Sequence, residues 1–505
     1  MVGVGGRSKA CAACRRRRVK CDERKPKCLR CVKGNYDCGG YREMRFIQFG
    51  EALSQPENAA ASSTDSNNAG DQALALRQAS DTTSKHQVHS LSLSLCPIPS
   101  ISSFQDDICV TYTLTHLLNG ASYDGKTRAP SHHWSDEPLA NTCFLSLATT
   151  YFGSQHREER LVKKGLQLYG VALRELHTAL ADAHQCQTRN VLDSVVTLNF
   201  LEFLISDNPD GWLGHSSGLE RLFELRGPES FQTTPERLIL EQSRPGIIFA
   251  SLALRKSTIL SSPEWKMVPW AVHQEKKSSM QFLVDILADC PYLYMVKEEI
   301  TSSGGILLEL SAAQHIVNKV SEILKKLESW KIQWDSEHGN ACFEVAAPQT
   351  GPVYHNPDGE TMSVWSTILH YESLSAANET TLYNAILILL LKLAQDLLLF
   401  TDDPNFGGDL IASRMYAAGI EICRSVEYHL LHYQVGVGSF YVLFPLRMAW
   451  QAVGRSNSCI GLWLEHLLQR IAFGVPVGNC TVAGKWAVAS YLLKDFANIK
   501  GTEGF

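Results

Sequence analysis

Cys11-Ala-Ala-Cys14-Arg-Arg-Arg-Arg-Val-Lys-Cys21-Asp-Glu-Arg-Lys-Pro-Lys-Cys28-Leu-Arg-Cys31-Val-Lys-Gly-Asn-Tyr-Asp-Cys38 spaces six cysteines as C-x2-C-x6-C-x6-C-x2-C-x6-C. One unit, C-x2-C-x6-C, is written twice with a six-residue connector. Ordered thiols at such spacing point to a metal, and zinc takes four ligands in a tetrahedron. Six thiolates cannot give two zinc ions four private ligands each, so two cysteines must bridge. A single zinc would leave two reactive thiols over. The duplication favours two zinc ions, six cysteines and two shared sulfurs. By its symmetry the bridges are the first cysteine of each unit, Cys11 and Cys28. Such a core carries a net charge of −2, which neighbouring Arg and Lys offset.

The module is too short to bury an apolar core, so metal supplies most of its folding free energy. Other uses of the cysteines fit less well. A disulfide framework needs an oxidising compartment, and the N-terminus lacks the apolar stretch of a signal peptide. A thiol-rich metal sponge would be denser in cysteine, and a four-cysteine ribbon leaves the doubling unexplained. The loop between the second and third cysteines is basic: Arg15, Arg16, Arg17, Arg18 and Lys20. Alone, such a run is a solvated face or a nuclear import signal. Beside a zinc cluster it is expected to serve both nuclear import and DNA binding. Arg pairs bidentately with guanine O6 and N7. Arg15, Arg16 and Lys20 suit phosphate contacts, which position without specifying sequence.

This segment resembles the fungal binuclear zinc cluster family of transcription factors in every cysteine interval and in Pro26 of the connector. The resemblance implies six metal ligands, Cys11, Cys14, Cys21, Cys28, Cys31 and Cys38, with Cys11 and Cys28 bridging two Zn2+ ions. It implies a short helix after each C-x2-C pair and a turn at Pro26. It also implies a first helix in the DNA major groove reading a CGG-type triplet. The base-contacting pair of the family maps onto Arg17 and Arg18. Lysine is frequent there, so arginine is a departure that bears on base preference.

The whole chain has a formal net charge of −5. Residues 1–45 hold 14 Lys plus Arg against 4 Asp plus Glu, a net of +10, which leaves −15 on the remainder. The head is drawn to DNA and the body is not. Residues 50–103 read as a disordered linker, rich in Ala, Ser, Asn and Asp with little to bury. No heptad run follows the zinc module, which leaves monomeric binding or a homodimer formed through the body. The nine remaining cysteines stand singly, as buried free thiols of a reducing compartment do. The longest uninterrupted apolar run, Ala385 to Leu391, is far short of a membrane span. A soluble intracellular protein is expected.

From residue 104 the pattern becomes helical. Leu166, Tyr169, Leu173, Leu176 and Leu180 step by three and four, which predicts one apolar stripe. Val191 to Ile205 reads as a buried helix. Gly218 to Leu225 is helical and ends at Arg226-Gly227-Pro228. Further helices are expected over Leu382–Phe400, Leu462–Phe473 and Trp486–Phe496, and residues 333–362 have loop character. The segment from Leu161 to Trp270 also resembles the regulatory domain of one group of these fungal factors. The likeness rests on Tyr169-Gly170 to Leu176, Trp212, His215 to Gly218, Arg226-Gly-Pro228, Trp265 and Pro269-Trp270.

Gly214-His215-Ser216-Ser217-Gly218 fits G-x-S-x-G, which would make Ser216 the nucleophile of an α/β-hydrolase with an appended zinc head. That motif needs a buried strand before the serine, and here a polar turn, Asp207 to Leu213, precedes it. Ser216 or Ser217 reads better as a helix N-cap. The expected fold is therefore a binuclear zinc-cluster domain (1–49), a disordered linker (50–103) and a large all-α regulatory domain (104–505). The expected function is that of a nuclear, zinc-dependent transcription factor of RNA polymerase II genes, not an enzyme. Its partners would be double-stranded DNA and the transcription machinery or co-regulators, with no membrane. A zinc-containing interaction scaffold is the remaining alternative.

Overall fold

In the computed structural model the chain divides into two units, Met1–Leu93 and Ser94–Phe505, the head and the body. The structure describes residues 13–14, 17, 19, 21–22 and 27–34 of the head. In the body it describes 104–118, 137–206, 208–272, 277–303, 306–347, 353–355, 361–397, 408–430, 437–454, 458–473 and 486–489. The expected linker and the region tested for heptads lie outside the described residues.

The described head contains one helix, α1 (Leu29–Lys33). The body opens with α2 (Gln105–Thr113), continued by a π-turn, and then α3 (Pro138–His156) and α4 (Glu159–Ala181). Arg157, in the left-handed region at φ 56°, makes the turn between α3 and α4. The two helices meet through small residues. The Ser146 hydroxyl donates to the Gly165 carbonyl at 2.8 Å. A Cβ at Gly165 would lie 2.1 Å from Thr150 Oγ1 and 2.8 Å from its backbone nitrogen. Gly165, Ala172 and Ala179, seven apart, form the buried seam of α4 with Leu161 and Leu176. The predicted leucine stripe is corrected accordingly. Leu176 is buried and Tyr169 is half-buried, but Leu166, Leu173 and Leu180 are exposed; the buried face runs one residue earlier, through Gly165, where α3 approaches too closely for a side chain.

α5 (Arg189–Ile205) is the expected buried helix, with Thr188 as its N-cap. α6 (Asp210–Arg226) ends where predicted, at Gly227 with φ 73° followed by Pro228. Its start differs. Asp207–Leu213 is not simply a polar turn: the Asn208 side chain accepts from the Asp210 N–H at 3.1 Å, and helix begins there. α7 (Thr234–Ala253) contains Pro245, whose missing N–H frees the Glu241 carbonyl. The Gln281 amide donates to that carbonyl at 3.4 Å. α8 (Pro263–Met267), α9 (Ser279–Ser303) and α10 (Ile306–Glu337) follow.

The stretch read as loop in the sequence begins with the last turn of α10 and then carries short strands. β1 (Cys342–Ala346) pairs antiparallel with β4 (Thr367–Tyr371), from Cys342↔Tyr371 to Ala346↔Thr367. β2 (Val353–His355) pairs with β3 (Thr361–Ser363). The body is otherwise helical, as expected. α11 (Leu374–Leu397) is long and apolar enough to cross a membrane, but 89% of its apolar window is buried inside the body. It is the core helix against which α12 (Gly408–His429) and α14 (Leu443–Ala449) pack, with the short α13 (Val437–Tyr441) and α15 (Ser458–Phe473) beyond. Of the helix expected over Trp486–Phe496, only residues 486–489 are described.

Among the described cysteines of the body, Cys109, Cys143, Cys290 and Cys423 are buried thiols as expected, whereas Cys186, Cys342 and Cys459 are half-buried. Burial pushes the Cys143 thiol up to about 12 and those of Cys290 and Cys423 higher still, so none is a thiolate at neutral pH. A charged cluster is buried between α7 and α9. The Arg244 side chain is wholly enclosed; it donates to Gln281 Oε1 at 2.8 Å and pairs with Asp285, which also holds Lys277. Lys277 Nζ lies 4.0 Å from the Trp270 ring centroid.

Candidate metal centre and nucleic-acid interface

The C-x2-C spacing puts the first cysteine just before a helical turn and the second inside it. Cys28 is the N-cap of α1, and its Sγ accepts from the Cys31 N–H at 3.3 Å. The Val32 N–H donates to the Cys28 carbonyl at 3.0 Å, which closes the turn. The equivalent turn in the first unit forms at Cys14: Arg17 N–H donates to the Ala13 carbonyl and Val19 N–H to that of Cys14, both at 3.1 Å. Among the described residues the short helix of the second unit is thus present, and the first unit shows two backbone bonds of a turn at the matching place.

Cys14, Cys28 and Cys31 are buried, and Cys21 is half-buried. Cys14 Sγ lies 3.7 Å from Cys28 Sγ and 3.9 Å from Cys31 Sγ. Two thiolates on one tetrahedral zinc, each about 2.3 Å from the ion, sit about 3.8 Å apart. Cys28 belongs to both groups of converging donor atoms, one with Cys14 and Cys31, the other with Cys21 and Asp22. Cys14, Cys28 and Cys31 converge with the spacing and softness that zinc takes, and Cys21 joins Cys28 in the second group, so the residues fit the ion. Cys11 and Cys38 lie outside the described residues.

Of the residues expected to meet DNA, Arg17 is described and its side chain is exposed; Arg15, Arg18 and Lys20 lie outside the described residues. Asp22 escaped the sequence reading. Its Oδ2 accepts from the Leu29 N–H at 3.1 Å. Desolvation acts to raise its pKa, and the backbone N–H groups of Leu29, Asp22 itself and Arg30, with the Cys28 side chain, outweigh that, leaving the carboxyl below its usual range. Capping is sought in the residue just before a helix, and Asp22 stands seven positions away, so no local signal marks it.

The G-x-S-x-G match has no hydrolase geometry. Ser216 sits within α6, fully buried, and accepts from the Asn199 amide at 3.1 Å. Neither Ser216 nor Ser217 is an N-cap, since the helix starts six residues before Ser216. His215 turns instead toward Tyr169, whose hydroxyl donates to the Glu202 carboxylate, and burial lowers the His215 pKa. Burial and the Glu202 contact raise that of Tyr169.

Comparison with known proteins agrees with this geometry. Residues 9–45 match the fungal Zn(2)-Cys(6) binuclear cluster domain, which binds two zinc ions. Residues 83–340 match the fungal specific transcription factor domain. An uncharacterized protein of Emericella nidulans is 31% identical over 130 residues, 25% of this chain and 28% of the relative. The transcriptional regulatory protein moc3 of Schizosaccharomyces pombe is 64% identical over 31 residues, 6% of each chain. The arginine metabolism regulation protein II of Saccharomyces cerevisiae is 27% identical over 186 residues, 32% of this chain and 21% of the relative. These matches span less than a third of each relative's length. No solved structure matches the chain. With the regulatory match covering just over half of its residues and the thiol cluster in front of it, the chain belongs to the fungal specific transcription factor family with an N-terminal Zn(2)-Cys(6) binuclear cluster.

Proposed function

We propose that the chain is a nuclear, sequence-specific DNA-binding regulator of RNA polymerase II genes. The observation that carries this reading is the pair of donor groups that share Cys28, one with Cys14 and Cys31 and the other with Cys21, with an arginine-rich loop between Cys14 and Cys21. In this reading all six cysteines hold two zinc ions, Cys11 and Cys28 being shared. The metal neutralises thiolate charge and fixes the loop. Arg17 and Arg18 meet base edges of a CGG-type triplet in the major groove, and Arg15 and Lys20 hold phosphates. The helical body regulates, contacts co-regulators and supplies any homodimer interface. It has no assigned catalytic role.

The test is a titration of full-length protein on CGG-containing and scrambled duplexes at two salt concentrations. Arg18→Ala is expected to cost about 1–3 kcal/mol and to relax preference at one or two guanines. Lys20→Ala is expected to weaken all sequences alike and to flatten the salt dependence, because one fewer counterion is released. Equal affinity of the wild type for both duplexes would favour the scaffold reading. If Arg18→Ala weakens every sequence equally while Lys20→Ala changes the preferred bases, the two roles are reversed.

A further inference from the structure

We infer that Asp22 is a positioning residue for the shared side of the zinc cluster: its carboxylate ties the helix carrying Cys31 to the segment carrying Cys21. The inference rests on the binuclear reading above. Three observations converge on it. Asp22 Oδ2 accepts from Leu29 N–H at 3.1 Å, across the six-residue connector and onto the first residue of α1. A carboxylate oxygen of Asp22 lies within 4.8 Å of both Cys21 Sγ and Cys28 Sγ, so it stands at the junction of the two units. Cys28 Sγ is itself held by Cys31 N–H. Among the described residues the opening of α1 is thus held by one oxygen and one sulfur, and the oxygen belongs to the connector, next to Cys21.

The duplication makes this contact one-sided. The position after the third cysteine of the second unit, equivalent to Asp22, is Gly39, which has no side chain to reciprocate. The pseudo-symmetry of the module therefore does not extend to the Asp22 contact. Residues that orient metal ligands from outside the coordination sphere commonly govern affinity by about 10–100-fold. Asp22 is assigned that role and not ligation, because its Oδ2 is already engaged by the backbone. A seventh anionic ligand would also add to a core whose net charge is already negative.

Full-length wild type, Asp22→Ala and Asp22→Asn are loaded with zinc, and the rate of metal transfer to a chromogenic chelator is followed. All three are expected to hold two zinc ions at saturation. Asp22→Ala is expected to release zinc about 10–100-fold faster, because α1 is no longer held. Asp22→Asn keeps an acceptor oxygen and is expected to stay near the wild-type rate. The cobalt-substituted proteins should show the same visible ligand-field spectrum in all three. Release by Asp22→Ala at the wild-type rate overturns the role. Release by Asp22→Asn as fast as by Asp22→Ala, or a cobalt spectrum altered in both, makes the carboxylate a ligand and overturns it too. One zinc per wild-type chain would instead defeat the binuclear reading on which the inference stands.

Discussion

Acid should unfold the body through one histidine. His429, at the end of α12, is completely buried. Its Nδ1 lies 3.0 Å from the Ser425 carbonyl and so carries the proton, while Nε2 has no partner among the described residues. Burial lowers its pKa to about 4, against the Ser425 contact, which acts the other way. In the unfolded chain the imidazole returns to about 6.5. The unfolded state therefore binds more protons than the folded state between these values, and stability falls as pH drops through that window. From pH 7 to pH 5 the loss works out at about 2 kcal/mol. The assay is urea unfolding of the full chain at both pH values, wild type beside His429→Leu. Leucine fills similar space, and the Ser425 carbonyl keeps its place in the helix. Other buried acids and histidines contribute equally to both proteins and cancel in the difference. The variant is expected to lose about 2 kcal/mol less than wild type over that interval. Equal losses would refute the reasoning, showing that His429 is charged or solvated in the folded body.

Metal analysis of the full chain should give two zinc ions, and Cys28→Ser should lower occupancy by more than one because both donor groups use that sulfur. Asp285→Asn leaves the enclosed Arg244 without its counter-charge and should cost about 3–5 kcal/mol in chemical denaturation. Ser216→Ala should leave DNA binding and its salt dependence unchanged while lowering stability by about 1–2 kcal/mol, since the Asn199 amide loses a buried acceptor. Ester hydrolysis that disappears in that variant would revive the hydrolase reading.

The cysteine spacing was legible because a metal sets it: the coordination sphere dictates residue type and interval together, with little influence from the rest of the chain. The end of α6 at Arg226-Gly227-Pro228 was legible for a similar reason, since a left-handed backbone and a missing N–H are local properties. Its beginning was not, because Asn208 and Pro209 resemble turn residues until their bonds to the helix are seen. The strands escaped notice because β4 does not alternate. Ile368 and Leu369 are both buried, one on each face, where helices cover what an open sheet would expose. Asp22 escaped because its partner is set by the folding of the metal module and not by neighbours in sequence.

The join between α3 and α4 inverts the usual relation between hydropathy and constraint. Along α4 three of the leucines, Leu166, Leu173 and Leu180, are exposed, while the positions one residue earlier, Gly165, Ala172 and Ala179, are buried. In a saturation scan of this helix, polar replacements of the three leucines should be among the best tolerated, and any enlargement at the three small residues among the worst. A design effort that swapped the surface leucines for Lys or Gln would gain solubility at no cost to the interior. Drift along this helix should then appear as freedom at the leucine positions and as near-fixity of size, not of hydrophobicity, beside them.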